Sequence, residues 1–311
     1  MKVSSFIIIA LALATVNGTG QPYSKNWEDI SYADDTLIAH RLDIYLPGVS
    51  QPLYPAVVVV YGSAFFGDNM KHIAYRTLGE PLLESGFAVV AVNHRSSRNA
   101  RFPAQIQDIK AAVRFVRANG HHYQIDTSFI GITGYSSGGY LSAMMGTSGS
   151  VHVMTINSKT ADMEGQVGSF TSCSSSVHAV VDWFGPTDFQ SMDSCGSEMV
   201  HDAPDSPESI LIGGPVQEND DLCALANPLS YVDADDPPFL IFHGDADPLV
   251  PHCQSEMLFQ RLQEAGVPSR YVLVPQAAHG PGLFTEEYFS MMTDFFLEEA
   301  NEKQNYTSGP D

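Results

Sequence analysis

The sequence predicts an α/β fold: a mostly parallel central sheet, helices on both of its faces, and a small cap built from loop excursions. Three observations carry this. Continuous apolar runs, such as residues 55–60 (PAVVVV) and 87–92 (FAVVAV), have the composition of strands buried on both faces. These runs alternate with segments of helical character, the order that gives a parallel sheet covered by helices. A Gly-x-Ser-x-Gly turn, Gly134-Tyr135-Ser136-Ser137-Gly138, joins an apolar run to a helix-like segment.

Each element follows in order. Residues 37–46 alternate, with Leu42, Ile44 and Leu46 on one face and Arg41, Asp43 and Tyr45 on the other, which predicts an edge strand with one wet face. The buried strand 55–60 runs into the loop 61–67 (YGSAFFG), and residues 73–84 read as a helix stopped at Gly86. Strand 87–92 leads to a basic loop over 93–101, and Pro103 opens a helix. Its residues Ile106, Ile109, Val113 and Val116 form a single apolar stripe, ended by Asn119-Gly120. Strand 129–133 enters the Ser136 turn. Residues 146–176 are rich in Gly, Ser and Thr and read as a long surface excursion over a crevice. After strand 177–181, residues 190–221 form a second polar excursion, the best candidate for the cap. Strand 239–242, helix 253–264, strand 271–274 and helix 284–299 complete the domain. Crossovers in such a sheet are right-handed, and ligands sit beyond the carboxyl ends of the strands.

The chain has 311 residues, 44% of them hydrophobic, enough for one large core. Fifteen Lys and Arg against 36 Asp and Glu give a net charge of −21, which repels nucleic acid and anionic membranes. Lys2 followed by the apolar run 6–14 and then small residues predicts a signal peptide over 1–20, hence a secreted or periplasmic protein. No other run is long enough for stable membrane insertion. The domain is expected over 21–300 and a loose polar tail over 301–311. Four cysteines, Cys173, Cys195, Cys223 and Cys253, permit disulfides after export, in three full pairings that the sequence does not rank. No cysteine or histidine cluster has zinc spacing, so no metal and no cofactor are expected.

The chemistry is read from the turn outward. A serine on such a turn has a strained backbone, so its neighbours two before and two after must be small. Gly134 and Gly138 satisfy this for Ser136, whereas Ser137 has Tyr135 two before it. A serine hydroxyl needs a histidine to take its proton and a carboxylate to orient that histidine. Asp247 follows strand 239–242 and precedes Pro248, where the loop can swing toward the serine. Asp245 sits closer to the strand and suits a turn-fixing role. His243 reads as structural, and Asp182 and Asp188 are weaker rivals for the acid. His279 lies in a loop of small residues after the last strand. An oxyanion requires N–H donors already in place, here the backbone N–H groups of Ser137, Ser63 and Ala64.

The stretches YGSAFFGDN, RFPAQIQDIKAAVRFVRAN, GYSSGGYL, VVDWFGPTDF, DSPESILIGG, NPLSYV, PPFLIFHGDADPLVP and AAHG resemble the α/β-hydrolase superfamily. More closely, they are similar to its bacterial acetyl xylan and feruloyl esterase branch, the BD-FAE-like enzymes. The resemblance implies hydrolysis of acetyl or hydroxycinnamoyl (feruloyl) esters of plant xylan, with Ser136, Asp247 and His279 as the triad. Acylated xylan fragments or small esters would be the substrates. A prolyl-type serine peptidase and a general small-ester carboxylesterase are the alternatives. Two departures stand out. Many relatives have His-Gly-Gly where this chain has Tyr61-Gly62-Ser63, and many have Ala where it has Ser137, which keeps Ser137 in competition. Trp183 and Phe184 are candidates both for an acyl pocket and for plain core aromatics.

Overall fold

A computed structural model of the protein describes residues 23–307; the segment read as a signal peptide and the end of the tail lie outside the described residues. Strands β1 (Tyr23–Ser31) and β2 (Arg41–Pro47) are antiparallel to each other, and β2 is antiparallel to β4. The remaining strands, β3 (Tyr54–Val60), β4 (Ala88–Val92), β5 (Ile125–Tyr135), β8 (Ala179–Trp183), β9 (Phe239–Gly244) and β10 (Ser269–Val274), pair in parallel. The sheet order is β1-β2-β4-β3-β5-β8-β9-β10. A separate small hairpin comprises β6 (Val153–Ile156) and β7 (Lys159–Asp162).

Successive side chains of a strand point to opposite faces, and the two cores divide accordingly. Val58 and Val60 of β3 and Val90 and Val92 of β4 join one cluster. That cluster includes the apolar stripe of α3 (Ala104–Asn119), with parts of α4 (Ser137–Thr147) and α7 (Cys253–Ala265). Val57, Val59, Val89 and Ala91 join the other, under α1 (Lys71–Ala74), α2 (Glu80–Glu84) and α8 (Glu286–Thr307). Each fully buried valine contributes roughly 1.5–3 kcal/mol relative to exposure. Gly131 on β5 matters here, because a Cβ would lie 2.7 Å from the Phe296 ring.

The structure corrects several expectations. Strand β2 is not an edge: β1 covers it, and every residue from Leu42 to Pro47 is buried. The side expected to be wet carries Asp43, which is neutralised by Lys71 Nζ at 2.9 Å. The expected helix over 73–84 contains a π-turn, Tyr75–Gly79, between α1 and α2. Pro81 lacks an N–H and cannot continue the α-helical ladder, which favours this wider turn. The expected loose tail is helical as far as Thr307.

The excursion over 146–176 is not a loose surface loop, and it does not line the cavity at Ser136. It packs beside α3 and is organised by two cations of that helix, both without exposed side-chain surface. Lys110 Nζ donates to Ser148 O (2.7 Å), Val151 O (3.2 Å) and Glu164 Oε2 (3.2 Å). Arg114 donates to the Glu164 carboxylate, to Glu164 O and to Val167 O. A segment without apolar periodicity is thus held by carbonyl-to-cation bonds. The second excursion contains α5 (Pro207–Ile212) and α6 (Asp220–Leu225), and its first part covers the carboxyl ends of the strands. Among the described residues, no helix is long and apolar enough to cross a membrane.

Candidate active site

Ser136 sits between β5 and α4 with φ 55° and ψ −126°, a backbone conformation that costs about 1–3 kcal/mol for a non-glycine residue. Its flanking glycines are required by close approach. A Cβ on Gly134 would overlap the Gly138 carbonyl, and one on Gly138 would overlap the carbonyls of Val60 and Tyr61. The loop after β3 presses on the same turn, since a Cβ on Gly62 would lie 2.6 Å from Tyr135 O.

Ser136 Oγ lies 2.9 Å from His279 Nε2, and His279 Nδ1 lies 2.7 Å from Asp247 Oδ2. Ser137 is 2% exposed, and its Oγ accepts the Ser63 N–H at 2.8 Å. Of the two serines, Ser136 is therefore the one in hydrogen-bond reach of the histidine. Asp247 Oδ1 accepts the N–H groups of Leu249 (2.9 Å) and Val250 (3.0 Å), which fixes the carboxylate's orientation. Burial alone would raise the Asp247 pKa, but its bonds to the His243 and His279 rings outweigh burial and hold it well below the usual range. His243 Nε2 lies 2.7 Å from Val250 O and 3.5 Å from Asp247 Oδ2, so His279, at 2.7 Å, is the closer histidine to the carboxylate.

The other carboxylates are placed elsewhere. Asp245 accepts the Gln276 N–H at 2.6 Å and fixes the turn. Asp182 is buried behind the turn, where it accepts the Gly185 N–H at 3.0 Å, and burial pushes its pKa up to about 7. Asp188 caps the short 3-10 helix Phe189–Ser191. His243 is fully buried and bonds Ser255 Oγ at 2.7 Å.

Two expectations on the surrounding residues need correction. Trp183 and Phe184 are buried in the core and do not line the cavity. Trp183 stacks on Phe242 with ring centroids 4.2 Å apart, held by its strand position in the sheet's second core. Phe184, turned by a φ of 46°, packs edge-on to the His279 ring at 4.7 Å and so supports its orientation. The Ser63 N–H, expected as an oxyanion donor, is engaged by Ser137 Oγ. The Ala64 N–H has no hydrogen-bond acceptor among the described residues, and Ser137 opens α4, where N–H groups lack intrahelical partners.

The cavity at Ser136 has a volume of about 70 Å³. Ala64, Phe65, Ser137 and His279 form one side, and Met199, His201, Pro207 and Glu208 of the second excursion form the other. Spacing gave no signal for His201. A larger cleft, about 490 Å³, opens at the opposite end of the sheet beside His178, Asp236 and Pro238, away from the serine.

The second excursion is tied to the loop that carries Asp247. A disulfide joins Cys195 to Cys253, and the Glu198 N–H donates to Pro248 O at 2.8 Å. Cys173 and Cys223 are free. His201 Nε2 lies 2.9 Å from Leu249 O, an acceptor that requires a proton on that nitrogen, and Nδ1 lies 2.9 Å from Glu208 Oε2. Burial opposes the charge on His201, but the bond and field of Glu208 outweigh it and raise its pKa. A raised folded-state value means that this pair's stabilisation is complete below the unfolded value of about 6.5 and is lost as pH rises through the folded one. The urea midpoint of wild type should therefore exceed that of His201→Gln most at low pH, with the gap closing as pH rises. A gap that does not vary with pH would show that His201 is not a charged partner of Glu208.

The sheet order, the antiparallel β2 and a serine on the turn between β5 and α4 make this an α/β-hydrolase fold. The chain belongs to the BD-FAE family, whose model matches residues 42–262. Two solved structures resemble it closely. One, described as a truncated form of a carbohydrate esterase from gut microbiota, is 48% identical with a TM-score of 0.87, covering 90% of this chain and 98% of that one. The other, a bifunctional GH43-CE from Bacteroides eggerthii, is 51% identical with a TM-score of 0.85, covering 88% of this chain and 35% of that one. The esterase LipQ of Mycobacterium tuberculosis is 29% identical over 274 residues, 86% of this chain and 60% of its own. The chain spans about three fifths of the length of the curated relatives it matches first.

Proposed function

We propose that the protein is a serine carboxylesterase that removes acetyl groups from plant cell-wall xylan or its fragments, working through an acyl-enzyme. The observation that carries this is the hydrogen-bonded series Ser136, His279 and Asp247 opening onto a cavity of only about 70 Å³. Ser136 Oγ attacks the ester carbonyl carbon while His279 Nε2 takes its proton, and Asp247 holds the imidazole in the tautomer that can do so. The oxyanion accepts from the N–H groups of Ala64 and Ser137. Collapse expels the sugar alkoxide, which takes the proton from His279. Water, deprotonated by the same nitrogen, then releases acetate and restores the serine.

The size of the cavity supports a small acyl group. It is far smaller than the roughly 300 Å³ at which pockets for whole small molecules begin. A space of this size suits an acetyl group better than a feruloyl group, with its aromatic ring and propenoyl arm. One methylene misfit in such a pocket is worth about 10–200-fold. The expected result is therefore that kcat/KM for an aryl acetate exceeds that for the aryl butyrate by at least about tenfold, and that acetylated xylan fragments are deacetylated while feruloylated ones are left intact. Release of ferulate at a comparable rate would overturn the acetyl assignment. Equal rates on xylan-derived and unrelated acetates would reduce the reading to a general small-ester carboxylesterase.

Export to an oxidising compartment is part of the same proposal. The N-terminal pattern over residues 1–20 and the Cys195–Cys253 disulfide both support it. N-terminal sequencing of the protein recovered outside the cytoplasm tests it; an intact Met1 would count against it.

A further inference from the structure

We propose that the Ser137 hydroxyl is a positioning group: it clamps the Ser63-Ala64 turn to the serine turn, so that the Ala64 N–H faces the same point as the Ser137 N–H. This rests on the esterase reading above. The Ser137 side chain presents an oxygen that accepts the Ser63 N–H at 2.8 Å, where an alanine would present only a methyl group. The residue is 2% exposed, so water does not compete well for that bond. The bond as a whole is part-buried, so losing it costs less than the roughly 1–3 kcal/mol of a fully buried N–H left without its acceptor.

The turn needs such a clamp. Ala64 and Phe65 are consecutive non-glycine residues at φ 49° and 64°. Left-handed backbone of this kind costs roughly 1–2 kcal/mol per residue and persists only where the surroundings over-determine it. Other bonds also hold the loop, among them Ser63 Oγ accepting the Gly67 N–H (3.1 Å), Ser63 O accepting the Phe66 N–H (2.9 Å), the Tyr61 hydroxyl donating to Gly67 O (3.2 Å), and Phe65 O accepting the Ser97 N–H (2.8 Å). The first three lie within the loop, and the fourth ties it to the segment after β4. The bond to Ser137 Oγ joins the loop directly to the residue after Ser136. Ala64 and Ser137 both line the cavity, and the Ala64 N–H has no acceptor among the described residues. Ser63 thus serves as the anchor of the donor turn rather than as a third donor.

Two measurements on the full chain test this. Amide hydrogen exchange reads the clamp without reference to activity: protection of the Ser63 N–H should fall at least about tenfold in Ser137→Ala. Unchanged protection overturns the clamp. Kinetics then read its consequence. Ser137→Ala should lower kcat for an aryl acetate by about 10–100-fold, approaching the loss of an oxyanion donor, with KM within about twofold of wild type. Affinity for a boronic acid, which forms a tetrahedral adduct on the serine, should fall by the same factor as kcat. Ser137→Cys, of similar volume but with a weaker acceptor, should lie between the two, and it serves as the test variant if Ser137→Ala does not fold. A lower melting temperature with wild-type kcat and boronate affinity would make the hydroxyl merely structural. A rise in kcat would mean that Ser137 withholds Ser63 from the oxyanion, the reverse of the proposal. Failure of the esterase reading is a separate outcome, seen as aryl acetate turnover by the protein that does not depend on Ser136.

Discussion

Ser136→Ala should lower kcat for an aryl acetate by about 10⁴–10⁶-fold, with the circular dichroism spectrum unchanged. The size follows from what remains. The oxyanion donors and the cavity survive the substitution, and such remnants typically retain a 10³–10⁴-fold advantage over water. The neighbouring hydroxyl, that of Ser137, bonds the Ser63 N–H and is not the one within reach of His279. His279→Ala should cost a similar factor, and the double variant hardly more, because the two groups act in one proton transfer. Active-site titration with a stoichiometric acylating reagent separates true residual activity from contaminating wild type. If Ser137→Ala abolishes acylation and Ser136→Ala does not, the nucleophile has been misassigned.

Glu164→Gln should destabilise the fold by about 3–5 kcal/mol, the usual cost of removing one partner from a buried ion pair. Lys110 and Arg114, both with fully buried side chains, would be left with carbonyls alone. The two partners shift in ways that must be weighed together. Burial lowers the Lys110 pKa, while at Glu164 burial would raise the pKa but Lys110, Ser175 and Arg114 outweigh it and lower it. Three oxygens surround Lys110 Nζ, enough for the three protons of an ammonium, so the charged pair is the state the geometry supports. A lowered folded-state pKa means that the carboxylate's contribution is present above its unfolded value of about 4.3 and is lost as pH falls through the folded one. Urea unfolding at neutral pH gives the difference. Adding Lys110→Met to Glu164→Gln should restore part of it, since one unpaired charge is removed. No loss on Glu164→Gln would mean that the excursion is held by its carbonyls alone.

What could be read from the chain and what could not divide along physical lines. Val57 to Val60 and the run 87–92 declared themselves because strands buried on both faces carry no polar residues. Ser136, Asp247 and His279 were legible because each follows a strand, and strand ends in a parallel sheet share one side. Strand β1 was not legible: its sequence, YSKNWEDIS, is that of a charged edge, and two register shifts break its alternation against β2. Lys110 and Arg114 fall outside the apolar stripe of α3, and the segment that covers them lies 38 to 54 residues further along the chain, beyond the reach of any local pattern. The engagement of Ser63 by Ser137 Oγ is a side-chain contact between two loops, which no local pattern encodes. His201 lies in a segment without periodicity, and its contacts with Glu208 and Leu249 depend on how that segment folds back.

The disulfide between Cys195 and Cys253 ties the wall of the cavity to the start of α7, just beyond the loop that bears Asp247. A wall tethered in this way cannot swing far as a lid. Substrate therefore meets an entrance that is already formed, and the entropy of ordering the wall is spent during folding instead of at every encounter. In kinetic terms, gating motions should contribute little to turnover.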